Sequence, residues 1–437
     1  MDAQELAQYF ADSPPAVVPL AIKKHFEALD DKQKRYAHFI SRAAFAGNRI
    51  VLRQTSPEAE SIYDLILALH KNAAGDWKAL AEKAGIDEEG LAGFLHYAAQ
   101  FLGNAGNYKS FGDSKFIPRC PEPVFAALAS TSPEADSHYK VTNGAIFSHD
   151  QQGLLHLGFV DDGHLTTYYP DSPDITKDEI SAVAKWSQEK GLLPENSRLR
   201  KTKDGIFEIL IASAVTSVPS NGGDIGKETE FTVSGGLLDG KTIKLVYGDY
   251  AKEMAAITGF IKRAAENAEN ETQQKMHLAY AQSFEEGSLL AFKDSQRHWI
   301  RDQGPMVECN IGFIETYRDP AGMRGEWEGF AAGELAAALN LVDYHTDARC
   351  SCEPYVFPPN ICWQETKIRC YNTVERTKSF GDLVKNAPSL IPLLPWSKEF
   401  EKDKFLSPDF TSLEVLTFCG TSILAPSTAR PVPNLVM

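Results

Sequence analysis

The chain has 437 residues, 43% hydrophobic and 24% charged, with a formal net charge of −15. That is an ordinary globular composition with room for two or three domains, and its acidity argues against a nucleic-acid partner, which needs a basic face. No apolar run approaches the ~20 residues of a membrane-crossing helix, and the acidic start Met1-Asp2-Ala3-Gln4-Glu5 lacks the basic-then-apolar order of a signal peptide, so no membrane association and a cytoplasmic location are expected.

The first hundred residues read as mainly helical. A short helical pattern near Ala21–Leu29 follows Pro14-Pro15, and Tyr36, Phe39, Ile40, Ala43 and Ala44 recur at helical spacing across Lys32–Gly47. Ser56-Pro57-Glu58 has the form of a helix start, with Ser56 as cap and Pro57 at the first helical position. Two more helices are predicted near Asp76–Ala84 and Asp87–Phe101.

Beyond residue 116 the pattern shortens. Gly144–Phe147, Leu154–Val160, His164–Tyr169, Phe207–Ser217, Thr229–Val233 and Lys241–Gly248 are β-branched or aromatic runs separated by glycines. They predict antiparallel strands in a sheet or small barrel over about 140–250. A helix from Thr176 to Lys190 interrupts them, opening on the capping-box pattern Thr176-Lys177-Asp178-Glu179. From Tyr250 to about Arg297 two antiparallel helices are expected, joined at Glu269-Asn270-Glu271. The fold class is therefore α+β, with helices flanking a small antiparallel β-barrel or sheet.

The stretch from Arg297 to Phe330 mixes residue types that a plain core segment seldom needs together. Glu308 and Glu315 sit among Val307, Ile311, Phe313 and Tyr317, bracketed by the turn pairs Gly304-Pro305 and Asp319-Pro320. A carboxylate in apolar surroundings carries a desolvation cost and needs a partner. The partner is either an internal arginine or the ammonium group of a ligand. Glu315 and Arg318 read as an internal brace, and Trp299 as a packing residue.

Other motifs resolve to structural readings. Gly235-Gly236-Leu237-Leu238-Asp239-Gly240-Lys241-Thr242 fits the letters of a phosphate loop, but Ile243-Lys244-Leu245-Val246-Tyr247 alternates like a strand where that motif requires a helix. A hairpin turn is expected instead. None of the eleven histidines stands in the one-turn pair of a helical zinc site. Cys350, Cys352, Cys362 and Cys370 crowd one segment near His345 without a standard zinc spacing, so no metal ligand is assigned.

Three long stretches carry a resemblance. They are Gly106-Asn107-Tyr108-Lys109-Ser110-Phe111-Gly112-Asp113-Ser114-Lys115-Phe116, the segment His298–Pro320, and Glu401-Lys402-Asp403-Lys404-Phe405-Leu406-Ser407-Pro408-Asp409-Phe410-Thr411-Ser412-Leu413. In this order they resemble the dipeptidyl peptidase III family, zinc exopeptidases that release dipeptides from the N-terminus of short peptides. The likeness runs from about Tyr36 to about Phe418 with one gap. It implies the substrate-binding lobe of a two-lobed peptidase. Glu308, a structural acid on the residues alone, would hold the peptide's amino end. Asn310 would line the same subsite, and Phe111 the pocket for the second side chain.

The resemblance also implies zinc in the intact enzyme, but the family's zinc motif lies beyond the point where this chain stops. No catalytic residue is assigned here. Residues 1–332 are expected to form the α+β lobe, 333–372 an insertion, 373–418 a helix and return segment, and 419–437 an aberrant tail. Retained intron sequence and a lost reading frame would account for both departures, with a genuine truncated isoform as the alternative. Short peptides are the implied ligands, and the family's contact with a ubiquitin-ligase adaptor leaves a protein partner open. The competing expectation is a non-catalytic peptide-binding or interaction remnant.

Overall fold

The computed structural model describes residues 2–15, 22–302, 305–334, 382–383, 385–393, 395 and 413–419. Residues 335–372 of the expected insertion, with its cysteine cluster and His345, and most of 373–437 lie outside the described residues.

Short helices α1 (Ala3–Ala7) and α2 (Lys23–Ala28) precede α3 (Asp31–Ala46), which starts on a full capping box made by Asp30 and Gln33. It buries Tyr36, Phe39, Ile40, Ala43 and Ala44, the face that the periodicity marks. After α4 (Asn48–Thr55), α5 begins at Ala59 and runs to Ala73. The expected Ser56 cap is a correction: Ser56 instead closes α4, and its hydroxyl donates 3.0 Å to Asn107 Oδ1. The N-cap of α5 is Glu58, two residues later, and no side chain caps it. Helices α6 (Trp77–Ala84) and α7 (Glu88–Asn104) start on Asp76 and Asp87 caps, and α8 (Glu122–Ala129) and α9 (Pro133–Phe147) complete this region. Its core gathers Leu65, Leu69, Phe94, Tyr97, Phe101 and Phe125.

The expected barrel is also corrected. Gly144–Phe147 is the last turn of α9, and Leu154–Val160 contains 3-10 turns, not a strand. His164–Tyr169 contributes only an isolated Leu157–Leu165 bridge. After α10 (Lys177–Lys190), with its predicted capping box, come β1 (Ser197–Lys201), β2 (Phe207–Ala212), β3 (Glu230–Thr232) and β4 (Thr242–Asp249). They form an open sheet in the order β1-β2-β4-β3. β2 and β4 run parallel, while the outer pairs are antiparallel. A parallel pair needs a crossover, not a hairpin, and among the described residues no strand joins the two edges. The glycine-rich turn lies between antiparallel β3 and β4, as expected.

Helices α11 (Ala251–Glu266), α12 (Glu271–Glu286) and α13 (Leu289–Trp299) follow. The predicted second helix is thus two, broken at Gly287. Ser288 caps α13, and Asp224 takes its hydroxyl at 2.5 Å and the Leu289 amide at 2.8 Å. Strands β5 (Val307–Glu315), β6 (Glu326–Glu334) and β7 (Leu413–Cys419) form a second, antiparallel sheet in that order. One face of it packs on α3 and α12 through Ile311, Trp327, Tyr36, Tyr280 and Phe284. The approach is close: a Cβ on Gly47 would lie 1.9 Å from Trp327 Nε1. Among the described residues no helix is long and apolar enough to cross a membrane.

Candidate functional site

Strand alternation decides what β5 shows to each side. Val307, Cys309, Ile311 and Phe313 belong to the core beneath the sheet. Glu308 and Asn310, two residues apart, therefore share the opposite face. They pair across to Ala332 and Phe330 of β6.

Glu308 is partly buried, and Trp299 at the end of α13 donates its indole Nε1–H to Oε1 at 2.8 Å. The Cys309 amide donates to the same oxygen at 2.9 Å, and no hydrogen bond reaches Oε2 among the described residues. Burial pushes the Glu308 carboxyl up to about 7, against the pull of these two donors. Trp299 is thus more than packing. A buried indole normally finds an acceptor for its N–H, and a tryptophan nine residues before an isolated glutamate was the signal available for this contact.

Asn310 is 3% exposed, and neither Oδ1 nor Nδ2 has a hydrogen-bond partner among the described residues. An unsatisfied buried amide of this kind costs about 1–3 kcal/mol. Beneath the same strand, Tyr36 Oη lies 2.6 Å from His277 Nε2 and 3.3 Å from Cys309 Sγ. Burial lowers the His277 pKa to about 3 and raises the Cys309 thiol out of reactive range. No sequence pattern marked this trio, whose members lie far apart in the chain.

Phe111 stands on a separate element. Lys109 N donates to Ser114 O at 2.8 Å and Phe116 N to Asn107 O at 3.0 Å, closing a hairpin-like loop. Phe111, 52% exposed, is near the tip, between Ser110, whose amide donates to Asn104 Oδ1 at 2.9 Å, and Gly112. No hydrogen bond, ion pair or ring contact joins Phe111 to Glu308 or Asn310 among the described residues. The structure thus brings Glu308 and Asn310 together and places Phe111 on its own loop. Arg318, expected to brace this region, is buried and pairs with Glu326 at 3.8 Å.

A cavity of about 500 Å3 lies apart from these residues, lined by Arg49, Arg53, Glu60 and residues 250–253. Its arginines are already paired with Glu60, Asp64 and Glu253. The nearest approach of two histidine rings, His156 and His164 at 6.3 Å, lacks a third donor. Among the described residues no three His, Cys, Asp or Glu side chains gather to hold a metal. Catalytic zinc is therefore not assigned to any of the described residues.

The family model for Peptidase family M49 matches residues 138–337 and 365–434. The chain is 39% identical to dipeptidyl peptidase 3 of Dictyostelium discoideum, over 94% of this chain and 51% of that protein. It is 36% identical to dipeptidyl peptidase 3 of Homo sapiens, over 96% of this chain and 52% of that protein. A solved dipeptidyl peptidase III structure from Caldithrix abyssi covers 98% of this chain and 54% of its own, at TM-score 0.47 and 15% identity. The chain belongs to Peptidase family M49. It spans about half the length of the curated relatives it matches.

Proposed function

We propose that this chain supplies the substrate-binding part of a zinc-dependent dipeptidyl peptidase that releases N-terminal dipeptides from short peptides. The observation that carries the reading is the pairing, on one face of β5, of a carboxylate with an amide that nothing among the described residues satisfies. An ammonium group suits the first, through a charge-assisted hydrogen bond. A peptide N–H and C=O suit the two ends of the second. Glu308 takes the amino terminus, Asn310 the adjoining backbone, and Phe111 the second side chain. The part taken by these three residues is to bind the peptide and set the register.

The deciding measurement is calorimetric binding of a tetrapeptide with a free amino terminus beside its acetylated copy. A preference of tenfold or more for the free form is expected, and equal affinities would overturn the reading. The second reading is a binding protein without hydrolysis. Metal content and dipeptide release, measured together on the same preparation, separate the two. The free, buried thiols of Cys120, Cys309 and Cys419 suit a reducing compartment, which supports a cytoplasmic location.

A further inference from the structure

We infer that Arg318 is a positioning residue that fixes the Phe111 loop relative to the strand carrying Glu308 and Asn310, and so sets the room given to a bound peptide's second side chain. The inference rests on the peptide-binding reading above. Arg318 follows the end of β5 by three residues and is 3% exposed. Its guanidinium reaches four separate elements. Nη1 donates to Thr55 Oγ1 at the end of α4, and Nη2 donates to Asn104 O, 2.9 Å away at the end of α7, and to Tyr108 O at 3.4 Å. Nε faces Glu326 of β6 at 3.8 Å.

Both carbonyls held by Nη2 belong to the stem of the Phe111 loop. Thr55 reinforces the same stem, donating 3.0 Å to Ala105 O. The stem also passes too close to Thr55 for a side chain. A Cβ on Gly106, at φ +154°, would lie 2.3 Å from Thr55 Cγ2. The far arm feels the charge as well: burial pushes the Asp113 carboxyl up to about 6, and Arg318 opposes that rise. Asn107 ties the loop to Ser56 and Glu58, at the α4–α5 corner. Arg318 ties it to β5. A planar fork can hold two carbonyls, a hydroxyl and a carboxylate in one arrangement, where a lysine point charge cannot.

The test uses the whole chain and the conservative variant R318K, with F111A as reference. Two tetrapeptides with free amino termini, differing only in alanine or phenylalanine at the second position, report selectivity by calorimetry. The acetylated copy reports the ammonium contact. Hydrogen exchange at residues 107–114 reports the clamp without any ligand. In R318K, loop exchange is expected to quicken tenfold or more, and second-residue selectivity to fall at least threefold toward that of F111A. The free-over-acetylated preference should hold. Unchanged loop exchange, or equal loss of affinity for both peptides, overturns the inference. If the wild-type chain ignores acetylation, the peptide-binding reading fails and the selectivity role with it, while the exchange rates still judge the clamp. The double variant R318M/E326Q removes both charges together and repeats the test without leaving Glu326 buried and unpaired.

Discussion

The Trp299 indole Nε1–H donates to Glu308 Oε1 across 2.8 Å, joining the end of α13 to the second residue of β5. This bond holds the carboxyl below where burial alone would put it. Trp299→Phe removes the donor and keeps the ring plane. The Glu308 pKa should then rise above its value of about 7, leaving less carboxylate at neutral pH. A hydrogen bond to a charged group contributes about 1.5–3 kcal/mol, so peptide affinity at pH 7 should fall roughly tenfold or more. Affinity measured against pH tells whether the loss is recovered on the alkaline side. A variant whose binding profile matches the wild type would show that Trp299 only packs.

Glu308 and His277, on opposite sides of β5, give opposite pH slopes. The folded chain keeps the Glu308 proton to about pH 7, whereas an ordinary glutamate loses it near 4.5. Its contribution is present below about pH 4.5 and fades as pH rises to about 7, by at most about 3 kcal/mol. Folded His277 stays neutral down to about pH 3, against an ordinary value of 6.5. Stability from this group is present above about pH 6.5 and fades as pH falls toward 3. Between pH 4.5 and 6.5 the two slopes oppose each other. Glu308→Gln removes one of them, so its urea midpoint should climb with pH more steeply than that of the wild type. Parallel curves would show that Glu308 titrates normally. The same variant should lose the preference for a free over an acetylated amino terminus.

Packing of the second sheet on the helices is tested at Gly47. The new methyl of Gly47→Ala would meet Trp327 Nε1 at 1.9 Å and Cε2 at 2.1 Å. Trp327 is held from behind by the Phe284 and Phe313 rings, with centroids at 5.4 and 5.5 Å, and its Nε1 donates to Ala44 O at 3.2 Å. With no free direction to move, the substitution should cost about 1–3 kcal/mol or more. Urea unfolding reads this as a lowered midpoint. Trp327→Phe should cost less in the Gly47→Ala background than in the wild type, because the two sites share one contact.

Where the sequence read well, the controlling interactions were local. The capping box at Thr176 and the buried face of α3 are set within one or two helical turns. The nearness of Glu308 and Asn310 was expected from the family resemblance alone, since no strand was expected over 307–315, and strand alternation now accounts for their shared face. Where it read poorly, a distant partner decided. Ser56-Pro57-Glu58 and Ser132-Pro133-Glu134 carry the same letters, yet only Ser132 caps a helix, while Ser56 ends α4 and donates its hydroxyl to the distant Asn107. The run ending at Phe147 has strand-like residues but finishes a helix that starts at Pro133. Parallel pairing of β2 with β4 depends on a crossover that hydropathy does not encode. Arg318 could be singled out as a brace, but its contacts with Thr55 and Asn104, more than two hundred residues away, belong to the fold.

Asn310 sets stability against binding. Its amide is 3% exposed, with both ends unsatisfied, in a strand otherwise well hydrogen-bonded. In the free chain this group is a liability, since a buried polar group without partners costs about 1–3 kcal/mol. Asn310→Leu replaces it with an apolar side chain of similar size. The variant should unfold at a higher urea concentration than the wild type, by an amount equivalent to about 1 kcal/mol or more. It should also bind the free-amino tetrapeptide at least several-fold less tightly, while Glu308 still distinguishes that peptide from its acetylated copy. A group kept for packing would give the reverse pattern, lower stability with binding unchanged. Raised stability together with unchanged binding would remove Asn310 from the site and leave Glu308 to hold the amino terminus alone.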